Sequence, residues 1–323
     1  MVEVNEPKDA QFEAPMVSVI MNCYNGEKYL NDAIDSVYTQ TFENWEIIFW
    51  DNASTDSSVE IAKRYDDKLK YFRGEKTVPL YAARNYALKK TRGKYIAILD
   101  CDDLWLPTKL EEQIPLLERD DAIGLVHSDA FIFNEKEKEK RYFEIVTPYR
   151  GNIFTKLLLC NFICTPTVII RKDVFDSLDI WFDGRITMVG DYDAYLRISY
   201  RWKVDFVDKP LARYRVHSGS YTHKEGRKTE SVELDLLIEN LSNTVNEFEK
   251  NYPEGIRSLR KMRDLQLSLL DWENGDKSKA RKRLRVHIRD GVAYLILYLL
   301  MYLPYRYVYS PCRSIYTKGI LVV

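Results

Sequence analysis

Three apolar runs in the first third of the chain each end in polar residues. They read "MVSVIMNCYN", "WEIIFWDNASTD" and "KYIAILD", and short apolar runs of this kind predict buried strands. Between them, the apolar residues recur at helical spacing. The alternation of strands and helices predicts an α/β fold built on a parallel sheet with right-handed crossovers.

Local capping patterns predict where the intervening helices begin. Asn25 precedes the first helical stretch and is expected to cap it, while Ser57 and Glu60 have the spacing of a capping box for a helix near 57–65. A further helix is expected over roughly 80–91. The run "KYIAILD" that follows would then be the third strand.

The polar ends of the three predicted strands carry the first candidates for chemistry. Asn25 follows the first strand, Asp51 and Asn52 the second, and the acidic stretch 100–103 the third. Ligands of open α/β sheets bind beyond the carboxyl ends of the strands. We therefore expect these residues to line one crevice.

The remainder of the chain changes character twice. After Pro107, a predicted helix is followed by "IGLVHSDAFIF", a predicted strand that continues into a hairpin, with the charge run "NEKEKEKRY" as a solvated turn. A second block covers 151–225. From Gly226 the sequence is helical and charged up to about 290, which indicates a separate C-terminal region.

Composition narrows the classes of protein. The 323 residues include 48 basic and 49 acidic side chains, and the net charge of −1 provides no general field for nucleic acid. Five scattered cysteines lack the paired spacing of a zinc site and indicate reduced thiols. The N-terminus lacks the basic start and apolar stretch of a signal peptide. We therefore expect a cytoplasmic protein.

Three carboxylates, Asp100, Asp102 and Asp103, stand directly after an apolar run. Ionised carboxylates this close repel one another unless a cation or hydrogen-bond donors hold them. Mg²⁺ or Mn²⁺ that bridges carboxylates to a substrate diphosphate is one explanation, because hard cations prefer oxygen ligands. An acidic helix cap before Pro107 is the alternative.

Five ordered motifs resemble the inverting, nucleotide-sugar-dependent glycosyltransferases of family 2. They cover about 16–220 and read "VSVIMNCYN", "IIFWDNASTD", "AARNYALKKTRGKYIAILDCDD", "GDYDAYLR" and "YRVHSGS". The resemblance implies the GT-A fold, a Rossmann-like, mostly parallel sheet flanked by helices, followed here by a C-terminal helical extension. It also implies Mn²⁺ or Mg²⁺ as the cofactor and a nucleotide sugar as the donor, with UDP the commonest nucleotide.

The resemblance and the change in composition after Gly226 together divide the chain into segments. They are an N-terminal tail at 1–15, a nucleotide-sugar-binding half of the GT-A domain at 16–105, an acceptor-binding half at 106–225, and a helical C-terminal region at 226–323.

Donor-binding roles follow from the resemblance residue by residue. Asp51 is expected at the nucleotide base, although its turn "DNASTD" lacks the second Asp and the Gly of the family; an ordinary Asx turn is the alternative. Arg84 is expected near the pyrophosphate, which a planar guanidinium suits, or in a pair with a surface carboxylate. Asp100 is expected towards the ribose and metal, Asp102 as the metal ligand, and Asp103 as their support. The nucleotide-sugar candidates are Asn25, Asp51, Arg84, Asp100 and Asp102.

The motif "GDYDAYLR" resembles the segment that carries the family's catalytic base, which implies that role for Asp191. Inverting transfer needs a base because the acceptor hydroxyl loses its proton as it attacks the anomeric carbon. Gly190 stands where the family usually has Glu, and the missing carboxylate is expected to alter the base's pKa or acceptor contacts. Asp193 is expected to be a helix cap or a residue that supports the site, and Arg197 either to be structural or to pair with one of the aspartates.

The motif "YRVHSGS" supplies two further candidates. The family places a His near the metal or diphosphate, which implies a metal-binding role for His217; a packed or surface His is the alternative. Arg215 is a weaker candidate for a phosphate contact.

The C-terminal region has a basic stretch beside an apolar one. "KSKARKRLRVHIR", at 277–289, contains seven Lys or Arg residues, and "GVAYLILYLLMYL" follows it closely. Thirteen helical residues span about 20 Å, less than the roughly 30 Å hydrocarbon core, so no transmembrane helix is expected. The pattern favours a helix lying on the anionic inner face of the cell membrane. A buried terminal helix or an oligomer contact is the alternative.

Together these features predict a metal-dependent, inverting glycosyltransferase. By analogy with the family, it would extend a glycan or lipid-linked acceptor in cell-surface polysaccharide or glycoconjugate biosynthesis. A sugar-phosphate nucleotidyltransferase is one alternative, but "NCYNGEKY" lacks the Gly-rich phosphate loop of that class. Gly190 leaves a second alternative open, a catalytically silent glycan-assembly binding module.

Overall fold

The computed structural model of this chain describes residues 14–134, 139–305 and 308, with only the backbone described over 221–228. Residues 1–13 of the expected tail and 135–138 of the expected solvated turn lie outside the described residues.

Nine strands within the described residues form one sheet. They are β1 (Val17–Cys23), β2 (Trp45–Asp51), β3 (Leu69–Arg73), β4 (Tyr95–Ile98), β5 (Leu104–Trp105), β6 (Ile123–Phe133), β7 (Lys140–Arg141), β8 (Ile169–Arg171) and β9 (Lys203–Arg215). The strand order is β3-β2-β1-β4-β8-β6-β9-β5, and β7 pairs with β6. The long pairings, β1 with β2 and β4, β2 with β3, and β6 with β9, are parallel. The short pairings of β5, β7 and β8 are antiparallel.

Helices connect the strands and continue beyond them. They are α1 (Leu30–Tyr38), α2 (Ser58–Ala62), α3 (Leu80–Leu88), α4 (Lys109–Arg119), α5 (Phe154–Leu157), α6 (Lys172–Asp176), α7 (Gly190–Arg201), α8 (Tyr221–Thr244), α9 (Phe248–Asn251), α10 (Pro253–Glu273), α11 (Lys277–Leu284) and α12 (Val292–Leu300). The mostly parallel sheet, its flanking helices and its C-terminal helices confirm the predicted fold class.

Both faces of the central strands are covered. In β1, Val17, Val19 and Met21 pack with α1 and α4, whereas Ile20 packs on the other face with α3, α7 and α8. Strands that are buried on both faces need apolar residues at every position. This double burial explains why the strand signals are continuous apolar runs.

Several local expectations are wrong. The edge strand β3 was not predicted, so "KYIAILD" is the fourth strand rather than the third. Asn25 does not cap α1, which begins at Leu30 after Tyr29. Ser57 makes no capping bond to α2, which is only five residues long; Asp56 instead accepts a hydrogen bond from the Ser58 N–H at 3.0 Å.

The C-terminal helices belong to two different cores. Leu234 of α8 and Leu259 of α10 pack into the core on the α7 side of the sheet. The end of α10, α11 and α12 form a smaller core around Trp272. Helix α8 runs across the expected boundary at 225/226, and the segment boundaries stay predictions. Among the described helices, none has both the length and the apolarity to cross a membrane.

Candidate active site

Arg84 lies buried beneath the acidic strand end. It is 1% exposed, and its Nη2 donates a hydrogen bond to Asp100 Oδ1 at 2.5 Å. Burial opposes the charged form, but Asp100, Tyr81 and Asp191 together raise the pKa of Arg84 above its ordinary value. Its Nε and Nη1 have no partner among the described residues. Buried donors without partners are costly, so this guanidinium is suited to an added anion.

Asp102 and His217 meet beside the same acidic strand end. His217 Nε2 lies 2.9 Å from Asp102 Oδ2, and both side chains are partly exposed, by 20% and 28%. The ring of Tyr29 packs edge-on against the imidazole, with ring centroids 4.9 Å apart. Burial and the Asp100 charge raise the pKa of Asp102, while His217 opposes that shift.

Asp103 and Arg215 support the acidic segment from behind. The buried Asp103 accepts a hydrogen bond from the Arg215 N–H at 2.8 Å, and Arg215 Nε donates to the Asp102 carbonyl at 2.8 Å. The Arg215 guanidinium also stacks on Tyr29 at 4.2 Å. Burial and the neighbouring Asp102 raise the pKa of Asp103. Arg215 therefore contacts other protein groups here, and its contact with a phosphate stays a prediction.

The Asp51 carboxylate is fully buried at the end of β2. Its Oδ1 accepts a hydrogen bond from the N–H of Ser54, three residues on, at 2.8 Å. Its Oδ2 accepts from Arg73 at 2.5 Å and from the Tyr71 hydroxyl at 2.8 Å. Because both oxygens have protein partners, the contact with a nucleotide base stays a prediction.

Asn25 joins the turns after β1 and β2. Its φ is 53°, in the left-handed region that Asn tolerates, and its Oδ1 accepts a hydrogen bond from the Thr55 N–H at 2.8 Å. Its own N–H donates to Ser54 Oγ at 3.0 Å. These bonds explain why the side chain is not available to cap α1.

Asp191 is the second residue of α7. Its Oδ2 accepts a hydrogen bond from the Thr165 hydroxyl, and its Oδ1 accepts from the Tyr192 N–H at 2.7 Å. The N-terminus of a helix favours negative charge. Since the Asp191 charge contributes to the raised pKa of Arg84, the carboxylate lies near the acidic strand end.

Gly190 is explained by Tyr81. A Cβ at position 190 would lie 2.4–2.7 Å from three ring atoms of Tyr81, so the aromatic ring fills the space that a side chain would need. The same ring stacks on Arg84 at 4.9 Å. The departure from the family pattern therefore comes with a residue that contacts Arg84 and packs against the backbone at position 190.

Asp193 is built into the protein rather than into the crevice. It is fully buried, and Arg197 donates two hydrogen bonds to it at 2.7 and 3.0 Å, as expected for a pair one helical turn apart. Burial raises the pKa of Asp193, and Arg197 opposes that shift.

Asp102 and His217 are the pair that could hold a metal. Within the described residues, no group of three or more His, Cys, Asp or Glu side chains is arranged to bind one by itself. Mg²⁺ and Mn²⁺ at diphosphate sites use one or two protein ligands and take the rest from substrate and water. One carboxylate and one imidazole, 2.9 Å apart and partly exposed, fit an ion of that kind.

Three contacts in this crevice were missed from the sequence: Tyr29, Tyr81 and Thr165. Tyr81 had a signal, because it stands three residues before Arg84 and therefore shares a helical face with it. Thr165 lies 26 residues from Asp191 and belongs to no motif, so only the tertiary structure reveals that bond.

Comparison with known proteins decides the family. The model of glycosyl transferase family 2 matches residues 18–179, half of the chain. This chain belongs to glycosyl transferase family 2. It is 39% identical over 231 residues to EpsE of Bacillus subtilis, a protein with a provisional glycosyltransferase name, covering 69% of this chain and 81% of EpsE. It is 32% identical over 219 residues to an uncharacterized glycosyltransferase of Methanocaldococcus jannaschii, covering 64% of this chain and 72% of that relative.

Solved structures share the fold of this family 2 glycosyltransferase. TarS 1–349 of S. aureus, in complex with UDP-GlcNAc, has a TM-score of 0.62 at 18% identity and covers 83% of this chain and 80% of its own. The mannosyltransferase PcManGT of Pyrobaculum calidifontis, in complex with GDP-Man and Mn²⁺, has a TM-score of 0.60 at 16% identity and covers 96% of this chain and 88% of its own. The predicted family and fold are confirmed, and the family replaces the nucleotidyltransferase alternative.

Proposed function

We propose that this glycosyltransferase moves a sugar, with inversion, from a nucleoside diphosphate sugar to a hydroxyl of a glycan or lipid-linked acceptor. The observation that carries the proposal is Arg84, a buried cation that donates to Asp100 and whose Nε and Nη1 have no partner among the described residues. A diphosphate supplies several oxygens, and these can accept from the Nε and Nη1 donors, which point in different directions within the guanidinium plane.

Asp191 acts as the base. The acceptor oxygen forms a bond to the anomeric carbon, its proton passes to the Asp191 carboxylate, and the bond from that carbon to the diphosphate oxygen breaks. Thr165 orients the carboxylate through its hydroxyl, and the Tyr192 N–H stabilises its charge. Arg84 stabilises the negative charge of the nucleoside diphosphate as it leaves.

The remaining donor-site roles follow from position. Asp102 and His217 would hold Mn²⁺ or Mg²⁺, which when bound neutralises charge on the leaving diphosphate. Asp100 directs Arg84, and Asp103 with Arg215 fixes the segment. Asp51 recognises the base, and the base takes the place of Arg73, the exposed partner of this carboxylate. The complexes of TarS with UDP-GlcNAc and of PcManGT with GDP-Man and Mn²⁺ support a nucleotide-sugar donor and a metal.

A donor screen tests this function. We expect one UDP-sugar or GDP-sugar to raise the melting temperature in the presence of Mn²⁺ and to be hydrolysed slowly, because bound ligands stabilise the folded state. NMR of the transferred product should show an inverted anomeric centre. Retention would remove Asp191 as a simple base. Donor binding without any hydrolysis or transfer would favour the catalytically silent module.

We also propose that the enzyme binds the inner face of the cell membrane through α12. One face of this helix packs on Trp272 through Tyr294, Leu297 and Met301, as in the buried-helix alternative. The opposite face is exposed and apolar. Together with neighbouring positions outside the helix, we call it the C-terminal apolar face; it consists of Val286, Val292, Leu295, Ile296, Leu299 and Leu303.

Basic side chains lie close in sequence to the C-terminal apolar face. Lys282, Arg285 and Arg289 are exposed and form no ion pair with a carboxylate in the described part of the chain. Arg281 stacks on Tyr302 at 4.0 Å, which places the basic helix α11 beside the end of α12. Exposed apolar groups next to unpaired cations suit an anionic lipid surface.

Vesicle binding tests the membrane proposal. We expect co-sedimentation with phosphatidylglycerol vesicles but not with phosphatidylcholine alone. The double variant Leu295→Asn, Leu299→Asn should weaken binding by about tenfold or more, because each leucine loses its apolar burial. Val232→Asn, an exposed valine of α8, is the matched control. Unchanged vesicle binding, or a monomer formed from a dimer by the double variant, would count against the membrane proposal.

A further inference from the structure

A buried glutamate of the C-terminal region holds the segment that leads into the catalytic helix. Glu233 of α8 is 4% exposed and accepts four hydrogen bonds from the three residues before α7. The donors are the Thr187 N–H at 2.7 Å, the Thr187 hydroxyl at 2.5 Å, the Met188 N–H at 2.6 Å and the Val189 N–H at 3.1 Å.

This carboxylate acts as a remote cap. The first N–H groups of a helix have no partner within the helix, and Val189, at the cap position of α7, makes no side-chain capping bond. Glu233, 44 residues later, accepts the N–H of Val189 and those of the two residues before it, and places a negative charge near the helix N-terminus. A buried carboxylate requires such donors, so the Glu233 carboxylate and the segment 187–189 stabilise each other.

A second contact from the same helix fixes the surrounding chain. Asn240 Nδ2 lies 3.1 Å from Asp183 Oδ2 and 3.1 Å from Asp193 Oδ1. Asp183 precedes the segment bound by Glu233, and Asp193 lies in the first turn of α7. Helix α8 therefore holds the chain on both sides of Asp191.

We infer that Glu233 is a positioning residue for Asp191 and that α8 is part of the catalytic unit. This inference rests on the proposed function, in which Asp191 is the base. Glu233 acts through the backbone of residues 187–189, because its carboxylate is buried against their N–H groups. The catalytic unit then extends beyond the sequence-derived boundary at 225.

The test is Glu233→Gln in the full-length enzyme. The new amide places N–H donors against backbone N–H donors, so the segment before Asp191 should loosen. We expect kcat to fall by about 100-fold, as for small displacements of a reacting group, with the KM for the nucleotide sugar within about twofold. Hydrogen exchange should rise in peptides that cover 186–192. Glu239→Gln is the matched control, because Glu239 is exposed on the same helix and its one ion pair in the described part of the chain is with Arg185, at 3.4 Å.

Two further variants keep the outcomes distinct. If Glu233→Gln does not fold, Thr187→Val removes one hydroxyl bond and should still lower kcat severalfold with KM unchanged. A normal kcat, or a change confined to donor KM, would overturn the positioning role. Asp191→Asn separately tests the base: full turnover by that variant contradicts the proposed function, whereas wild-type exchange and kcat in Glu233→Gln contradict only the present inference.

Discussion

The acidic strand end and the N-terminus of α7 both lie near Arg84 but are held in different ways. Asp100, Asp102 and Asp103 lie within four consecutive residues at the end of a buried strand, and a compact set of partners fixes them. Asp191 depends on Thr165 and, through its backbone, on Glu233 of a distant helix. The acidic strand end, the proposed donor end, is thus a local feature of the sequence, whereas the N-terminus of α7, the proposed base end, depends on tertiary structure.

The largest expected effect is at the base end. Asp191→Asn keeps the size of the side chain and leaves the helix N-terminus unchanged. The amide cannot take up the proton of the acceptor hydroxyl, so kcat should fall by roughly 10³-fold to 10⁴-fold. Donor affinity, measured by calorimetry with Mn²⁺, should stay within about twofold. Asp179→Asn, at an exposed position, is the control. Turnover that survives in Asp191→Asn would place the base elsewhere.

Asp102→Asn should affect the donor end by a different route. Loss of one metal-binding carboxylate oxygen should lower activity by about 100-fold and weaken Mn²⁺-dependent donor binding. The contrast with Asp191→Asn, which should spare donor binding, separates the two ends of the crevice. An unchanged Mn²⁺ titration in Asp102→Asn would make the metal assignment wrong.

The same contrast explains what could be predicted from the sequence. The sheet, its strand-end crevice and the family were predictable because continuous apolar runs and consecutive acidic residues encode them locally. The short edge strand β3 and the brief helix α2 were not, since their position depends on neighbouring strands. Gly190 was misleading in isolation because its reason, the ring of Tyr81, lies about 110 residues earlier in the chain.

A smaller effect tests the packing behind Asp191. Gly190→Ala forces a methyl group against the Tyr81 ring and should lower the free energy of unfolding by about 1–3 kcal/mol, as overpacking does. Adding Tyr81→Leu should recover part of that loss. Gly291→Ala, where the nearest atom lies 4.0 Å from the added Cβ, is the control. Equal melting temperatures for Gly190→Ala and wild type would show that the ring moves aside freely.

Acid pH acts on catalysis and on the fold, and His127 allows the two to be separated. It is fully buried among Phe143, Phe162 and Phe206, and its ring nitrogens have no partner among the described residues. Burial lowers the pKa of His127 to about 3, so the folded state keeps it neutral. In the unfolded chain its pKa is about 6.5, and below that pH the unfolded state takes up a proton that the folded state does not.

The free energy of unfolding should therefore be fully retained above about pH 6.5 and fall by about 1.4 kcal/mol per pH unit as the pH decreases towards 3. His127→Phe keeps an aromatic ring among the three phenylalanines and removes this dependence. Urea unfolding at pH 7.5 and 5.5 should show a loss about 1.4 kcal/mol smaller in the variant. Equal losses in both proteins would mean that His127 is protonated in the folded state. With His127→Phe, any loss of turnover between these pH values that remains without unfolding can be assigned to the crevice itself.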